Sequence, residues 1–240
     1  MDVFQKKVGG FFMNSLQKTM DEQQLVVEKI DECVSKSKIK AYDILKRFID
    51  IIIGTIGLIV CIPIFIIIGI AIKIDSKGPV FFKHKRIGKH GKKLEIYKFR
   101  TMIENAEEAM KNFTEEQKKE FAENFKLEND PRVTRVGKIL RKTSLDELPQ
   151  IINILKGEMS IIGPRPIVKS ELEKYGSNQD KFLSVAPGLT GYWAANGRSD
   201  VSYEERMALE LYYVNNRSLI LDMKIFFKTI GSVLKGRGAR

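Results

Sequence analysis

Cysteine and histidine are scarce in this chain. Its 240 residues hold two cysteines, Cys33 and Cys61, and two histidines, His84 and His90. That excludes a disulfide framework, a zinc pattern and a histidine-based metal cluster. Cys61 lies in an apolar run and reads as a small hydrophobe. The opening, MDVFQKKVGG, lacks the apolar core of a cleavable signal peptide. Internal repeats and low-complexity tracts are missing. Acidic residues are outnumbered, 30 against 41 Lys and Arg, which leaves a net charge of +11. Such a balance predicts an anionic partner: nucleic acid, phosphorylated small molecules or an anionic membrane face. Motifs for DNA or RNA binding do not accompany the charge, which argues against nucleic acid. The length suits one domain with a real core and an appendage.

Charge itself is missing from Ile51 to Ile72, bounded by Asp50 and Lys73. As a helix these residues rise about 33 Å, enough to cross a bilayer core. Pro63, near the middle, removes a helical hydrogen bond and predicts a kink. The flanks are basic on both sides: Lys36, Lys38, Lys40, Lys46 and Arg47 before, Lys73, Lys77, Lys83, Lys85 and Arg86 after. A spanning helix shows one richer and one poorer side. Equal flanks fit a helix that enters, kinks and returns to the cytoplasmic face; a spanning helix is the alternative.

Around this run the chain divides into 1–40, 41–75 and 76–240. In the first part Phe4, Val8, Phe11, Phe12 and Leu16, then Val26, Val27, Ile30 and Val34, recur at helical spacing and read as one or two amphipathic helices, with a poorly ordered tail as the alternative. After the apolar run, Val80–Phe82 and Leu94–Phe99 read as short strands joined through Gly88 and Gly91. The basic residues between them suit anionic lipid headgroups. Residues 103–126 read as a solvated helical region, with Thr114 and Gln117 at capping spacing. Ser202 and Glu205 repeat that signal before a helix through Tyr213. Leu219 to Lys235 reads as an interfacial helix edged by lysines or as a helix packed into the core.

Chemistry concentrates in Arg141 to Pro166, RKTSLDELPQIINILKGEMSIIGPRP. Two readings stand side by side. In the structural one, Ser144 caps a helix, Glu147 reaches back to its amide, Leu148, Ile151, Ile152 and Leu155 bury one face, and Gly157 stops the helix. In the functional one, Asp146 and Glu147 sit where a magnesium ion and a phosphorylated substrate would meet, and one carboxylate attacks phosphorus. Arg135, Lys138 and Arg141 share a side if their segment is helical. Pro164 and Pro166 hold Arg165 in an extended frame, suited to binding phosphate in a bidentate way. Pro187 to Gly191 and Asn196-Gly197-Arg198 are turns, the second presenting an arginine.

The runs SLDELPQ, GEMSIIGPRP and PGLTGYWAANGRS, in that order, resemble the bacterial sugar transferase family, the monotopic polyprenyl-phosphate phosphoglycosyl transferases. The resemblance covers about residues 41 to 240. It implies an α+β, predominantly helical fold. A re-entrant membrane helix hairpin, interfacial amphipathic helices and a small β-hairpin would carry a catalytic domain on the cytoplasmic face of the inner membrane. It implies transfer of a sugar phosphate from a UDP-sugar to undecaprenyl phosphate, with release of UMP, as the first membrane step of exopolysaccharide, capsule or related glycan synthesis. Asp146 would form a covalent phosphosugar and bind Mg2+. Glu147 would support the metal or handle a proton, and Arg141, Arg165, Arg198 and Lys98 would bind substrate. Many relatives carry serine before the proline of the membrane helix; this chain has Ile62-Pro63. Membrane lipids are expected partners, and assembly into a homo-oligomer is left open. The other readings are a phosphatase or nucleotidyl transferase acting on lipid phosphates, and a non-catalytic membrane-surface module that binds anionic polymers or lipids.

Overall fold

A computed structural model describes residues 2–124, 127, 129–197 and 201–234. The chain forms two units, 1–46 and 47–240. Helix α1 (Asp2–Asp75) begins in the first and ends in the second. Its opening residues are helical, as their spacing predicts, while the side chains of the expected apolar faces lie outside the described residues. Within the first unit the Lys46 ammonium lies 5.9 Å from the Tyr42 ring centroid.

In the second unit α1 carries Pro63 inside it, and helical geometry continues to Asp75. One stripe of this segment turns inward at helical spacing: Asp50, Gly54, Leu58, Cys61, Phe65, Ile68 and Ile72. The rest is exposed isoleucine and valine, Ile52, Ile59, Val60 and Ile67 among them. From Ile39 to Asp75 this helix is long and apolar enough to cross a membrane. Polar clamps hold both ends of its apolar segment. Arg47 donates to the carbonyls of Ile154 and Leu155 at 2.5 and 2.7 Å, and Asp50 Oδ1 accepts the Ile161 amide at 2.9 Å. At the other end Asp75 Oδ2 accepts the Val136 amide at 2.9 Å.

The expected hairpin is present and longer than its sequence signal. Strand β1 (Phe81–Ile87) pairs antiparallel with β2 (Lys93–Phe99), from Phe81 opposite Phe99 to Ile87 opposite Lys93. Helices α2 (Ala106–Ala109) and α3 (Glu115–Asn124) follow, the second opened by the reciprocal Thr114–Gln117 bonds that its sequence predicts. Next come α4 (Arg135–Thr143) and α5 (Gln150–Lys156), which stops at Gly157 with φ 82°. Strand β3 (Ser160–Ile162), α6 (Lys169–Glu173) and α7 (Gln179–Leu183) lead to β4 (Gly188–Thr190), which pairs parallel with β3. The chain closes with α8 (Tyr192–Asn196), α9 (Tyr203–Asn216) and α10 (Leu219–Leu234). Helix α9 starts on the Ser202–Glu205 capping box.

Three apolar clusters hold these elements. Leu94 and Ile96 of β2 meet Ile154, Met159, Tyr213 and Ile225. Phe99 meets Ile68 and Ile72 of α1 and Leu140 of α4. Ile167, Leu172, Tyr175 and Phe182 form the third. Fully buried Asn153 stitches α5 to β2: Nδ2 donates to the Glu95 carbonyl at 2.7 Å and Oδ1 accepts the Tyr97 amide at 2.9 Å. A side-chain amide satisfying two strand groups at once sets the register of β2 against α5. Helix α10 keeps Ile220, Met223, Phe227 and Ile230 exposed along one side, as the amphipathic reading expects.

Candidate active site

The capping reading of Ser144 is not what the chain does. Ser144 has φ 56° and ψ 18°, ends α4 in the left-handed region, and makes no side-chain cap bond. Residues Leu145–Glu147 form a 3-10 turn, and α5 begins only at Gln150. A non-glycine residue in this region costs on the order of 1 kcal/mol. The reversal at Ser144 folds the two carboxylates back toward β2. Glu147 turns to Lys98 there, with Oε1 2.7 Å from its Nζ, while the Ser144 amide donates to the Arg141 carbonyl. The same ammonium lies 3.7 Å from Asp146 Oδ2.

Strand periodicity explains Lys98. It shares a face with Leu94 and Ile96, and that face is anchored in the core. The side chains of Lys98, Asp146 and Glu147 keep 22%, 13% and 31% of their accessible surface, so the charges interact with little screening by water. Burial, above all, raises the Asp146 carboxyl from its ordinary range. Lys98 and Arg141 pull it back down, and Glu147 pushes it further up. Arg141 sits on α4 one turn before the reversal. Its Nε donates to Thr101 Oγ1 at 3.0 Å, and burial lowers its pKa against the pull of Asp146 and Asp130. Arg135 and Lys138, expected on the same side, stay exposed. Arg100, two residues after Lys98, bonds the carbonyls of Ser76 and Lys77 instead.

Arg165 arrives on a braced strap. Gly163 donates to Thr190 at 2.9 Å, Gly188 donates to Pro164 at 2.9 Å, and Ile87 donates to Ile167 at 2.9 Å. The backbones at Gly163 and Gly188 come so close that a Cβ on either would strike the other's chain. Both glycines are required by that approach. The Arg165 guanidinium lies 5.6 Å from the Trp193 ring centroid. A small cavity opens here, lined by Arg86, Lys98, Glu147, Arg165, Trp193 and Glu210.

The fold thus brings Lys98, Glu147 and Arg165 to one opening; Asp146 stands behind Lys98 at 3.7 Å, and Arg141 acts on Asp146 through its charge. Arg198 lies outside the described residues. Sequence reasoning passed over three members of the cavity wall. Arg86 stands in sequence among the basic residues that suit lipid headgroups, yet alternation on β1 turns it inward, and burial lowers its pKa. In sequence Trp193 stands only within the run PGLTGYWAANGRS, and Glu210 only within the helix through Tyr213. Glu210 is 1% exposed, and burial pushes it up to about 7, against the Arg165 amide and the guanidinium groups of Arg206 and Arg165. A single carboxylate inside a helix gives no local sign that it will be buried.

The family model for bacterial sugar transferases matches residues 41–236. The chain belongs to this family. Among curated relatives, the transferase is similar to the exopolysaccharide production protein ExoY of Sinorhizobium fredii, 46% identical over 197 residues, covering 81% of this chain and 87% of that protein. It is 45% identical over 198 residues to the undecaprenyl-phosphate galactose phosphotransferase of Salmonella typhimurium, covering 81% of this chain and 41% of that protein. The UDP-N-acetylgalactosamine-undecaprenyl-phosphate N-acetylgalactosaminephosphotransferase of Aeromonas hydrophila is 38% identical over 206 residues, 83% of this chain and 46% of that protein. The chain therefore spans less than half of the length of the last two. The shared region carries every element that builds the transferase's cavity.

Proposed function

We propose that this transferase moves a sugar phosphate from a UDP-sugar to undecaprenyl phosphate, as the first membrane step of exopolysaccharide, capsule or related glycan synthesis. The observation that carries the reading is Lys98 bridging two half-buried carboxylates at a cavity faced by Arg165 and Arg86. Relatives named for undecaprenyl-phosphate phosphotransfer support the acceptor. An Asp146 carboxylate oxygen attacks the sugar-linked phosphorus. The bond from that phosphorus to the bridging oxygen breaks, and UMP leaves. An oxygen of the lipid phosphate then attacks the same phosphorus, the bond to Asp146 breaks, and the carboxylate is restored. Arg165, Arg141 and Arg198 hold phosphate oxygens as charge moves to the leaving group. Lys98 lowers the Asp146 carboxyl that burial raises and aims it, and Glu147 holds Lys98 in place.

A magnesium ion fits this donor set only in partnership with substrate. Among the described residues no three acidic, histidine or cysteine side chains cluster for a metal. Two adjacent carboxylates plus donor phosphates are what magnesium ordinarily takes. Asp146, backed by Glu147, would hold it. When bound, the ion supplies charge neutralisation at the pyrophosphate.

Residues 41–75 are read as the membrane element and 76–240 as the catalytic part on the cytoplasmic face. The clamps on α1 support a re-entrant course. Asp50 and Asp75 would be roughly 37 Å apart on a straight helix, yet both bond the same unit. A helix crossing the bilayer would send one of those clamps to the far side. Cysteines placed at Lys40 and Lys77, with Cys33 and Cys61 changed to serine, test this. Both should react with an impermeant maleimide in inverted vesicles and neither in intact spheroplasts. Labelling from opposite sides would establish a spanning helix.

The reaction is tested by UMP release from a panel of UDP-sugars with magnesium and undecaprenyl phosphate. Lipid-dependent UMP with one sugar names the donor; silence across the panel from folded protein would sink the reading. The titration of Asp146 adds a further expectation. Because Lys98 lowers a carboxyl that burial raises, Lys98→Met should move the acid limb of the UMP burst to higher pH. Lys83→Met, which removes an exposed pair with Glu95 and a ring contact with Tyr97, should leave that limb in place. Equal shifts in the two variants would argue against the Lys98–Asp146 coupling.

A further inference from the structure

Glu210 is a buried carboxylate that the reaction above does not use. It projects from α9 beneath the Arg165 strap, and its Oε1 accepts the backbone amide of Arg165 at 3.1 Å. Its Oε2 is buried without a protein partner at the cavity wall. Arg206, one turn earlier on α9, sends its guanidinium to 4.8 Å from the Trp193 ring centroid and its Nη1 to 3.3 Å from Glu171 Oε1. Trp193 therefore carries two cations, Arg165 and Arg206, and Glu210 is the carboxylate that faces both.

Leaving a carboxylate at such a place is costly for stability, since it must be desolvated. The return is positional. A backbone amide held by a buried acceptor cannot swing. The two prolines beside Arg165 leave its peptide little other freedom. The strap is tied at Gly163, Pro164 and Ile167 by backbone bonds alone, and the bond at Arg165 itself is the one made by a side chain.

We propose that Glu210 is the positioning residue of the phosphate-holding arginine: by fixing the Arg165 amide and balancing Arg165 and Arg206 across Trp193, it sets where the donor's diphosphate binds. The inference rests on the donor reading above. It acts on the nucleotide half of the substrate and leaves the lipid half untouched.

Trp193 is the single tryptophan of the chain, so its fluorescence reports on this frame directly. The experiment titrates UDP into the full chain in detergent and reads Trp193 emission, with no turnover required. Glu210→Leu should weaken UDP by about tenfold or more, since a misplacement of about 1 Å can cost that much. Glu210→Gln keeps an acceptor for the Arg165 amide and should recover most of the loss. Glu210→Asp, which draws the carboxylate back by one methylene, should fall between them and serves if the leucine variant does not fold. In an Arg165→Ala background, Glu210→Leu should cost little more, because both act through one group. Unchanged UDP affinity in folded Glu210→Leu or Glu210→Asp would overturn the proposal, as would fully additive losses in the double variant. Glu210-dependent UDP binding without any sugar-phosphate transfer would leave the proposal standing and remove the reaction assigned to Asp146.

Discussion

Asp146→Asn is expected to abolish UMP release, by on the order of 10³-fold or more, while leaving the protein at least as stable as the parent. The two halves of that result have one cause. The side chain keeps 13% of its surface, and burial is the leading reason its carboxyl is raised. A carboxyl with a raised folded pKa stabilises the fold only while protonated. That contribution is present below its unfolded pKa and is lost as pH rises through the folded one. Above its folded pKa the ionised Asp146 is therefore a burden on the fold, and the neutral amide relieves it. Lys98 keeps its shorter contact to Glu147 at 2.7 Å in the variant. Stopped-flow or discontinuous assay of the donor-only burst, beside a thermal melt, reads both quantities. Loss of activity together with a large fall in Tm would mark Asp146 as structural.

Gly137→Ala is expected to be among the most damaging single methyl additions in the second unit. The Cβ would drive into the carbonyl, carbonyl carbon and Cα of Thr101, all backbone and all held by their own bonds. Overpacking of this kind costs about 1–3 kcal/mol and sometimes more. For a chain of this size that lowers Tm by roughly 3–10 °C. The damage also reaches the site. Gly137 sits one turn before Arg141, whose Nε bonds Thr101 Oγ1 at 3.0 Å, so pushing α4 off Thr101 pulls Arg141 away from Asp146. Gly231→Ala, on α10 with nothing within 4 Å of the new Cβ, is the contrast. It should be neutral or stabilising by up to about 1 kcal/mol. Equal effects from the two substitutions would refute close packing at Gly137.

Much of this was legible in the chain. The apolar run of α1, the hairpin, the two capping boxes at Thr114 and Ser202 and the stop at Gly157 all follow from local rules. Such rules act over three or four residues and need no partner elsewhere. The capping reading of Ser144 failed for the same reason. S-x-x-E specifies a cap only if the chain enters a helix there, and the backbone reverses instead, leaving Glu147 a better partner in Lys98, 49 residues away.

Sequence alone determined that the chain carries a membrane-sized apolar segment, a strong basic excess and a run in which carboxylates and arginines alternate with helix signals. Composition, periodicity and motif order are properties of neighbours along the chain. Tertiary structure alone decided which charges became a site. Arg86 and Lys83 are indistinguishable as letters in a basic strand, yet pleat alternation buries one beside Arg165 and leaves the other with Glu95 in solvent. Arg141 and Lys138 share a helix, and only Arg141 finds Thr101. Glu210 becomes a buried acceptor because α9 passes beneath a strap 45 residues earlier in the chain. Burial and pairing at long separation set the strength of a charge, and both arise only when distant segments exclude water together.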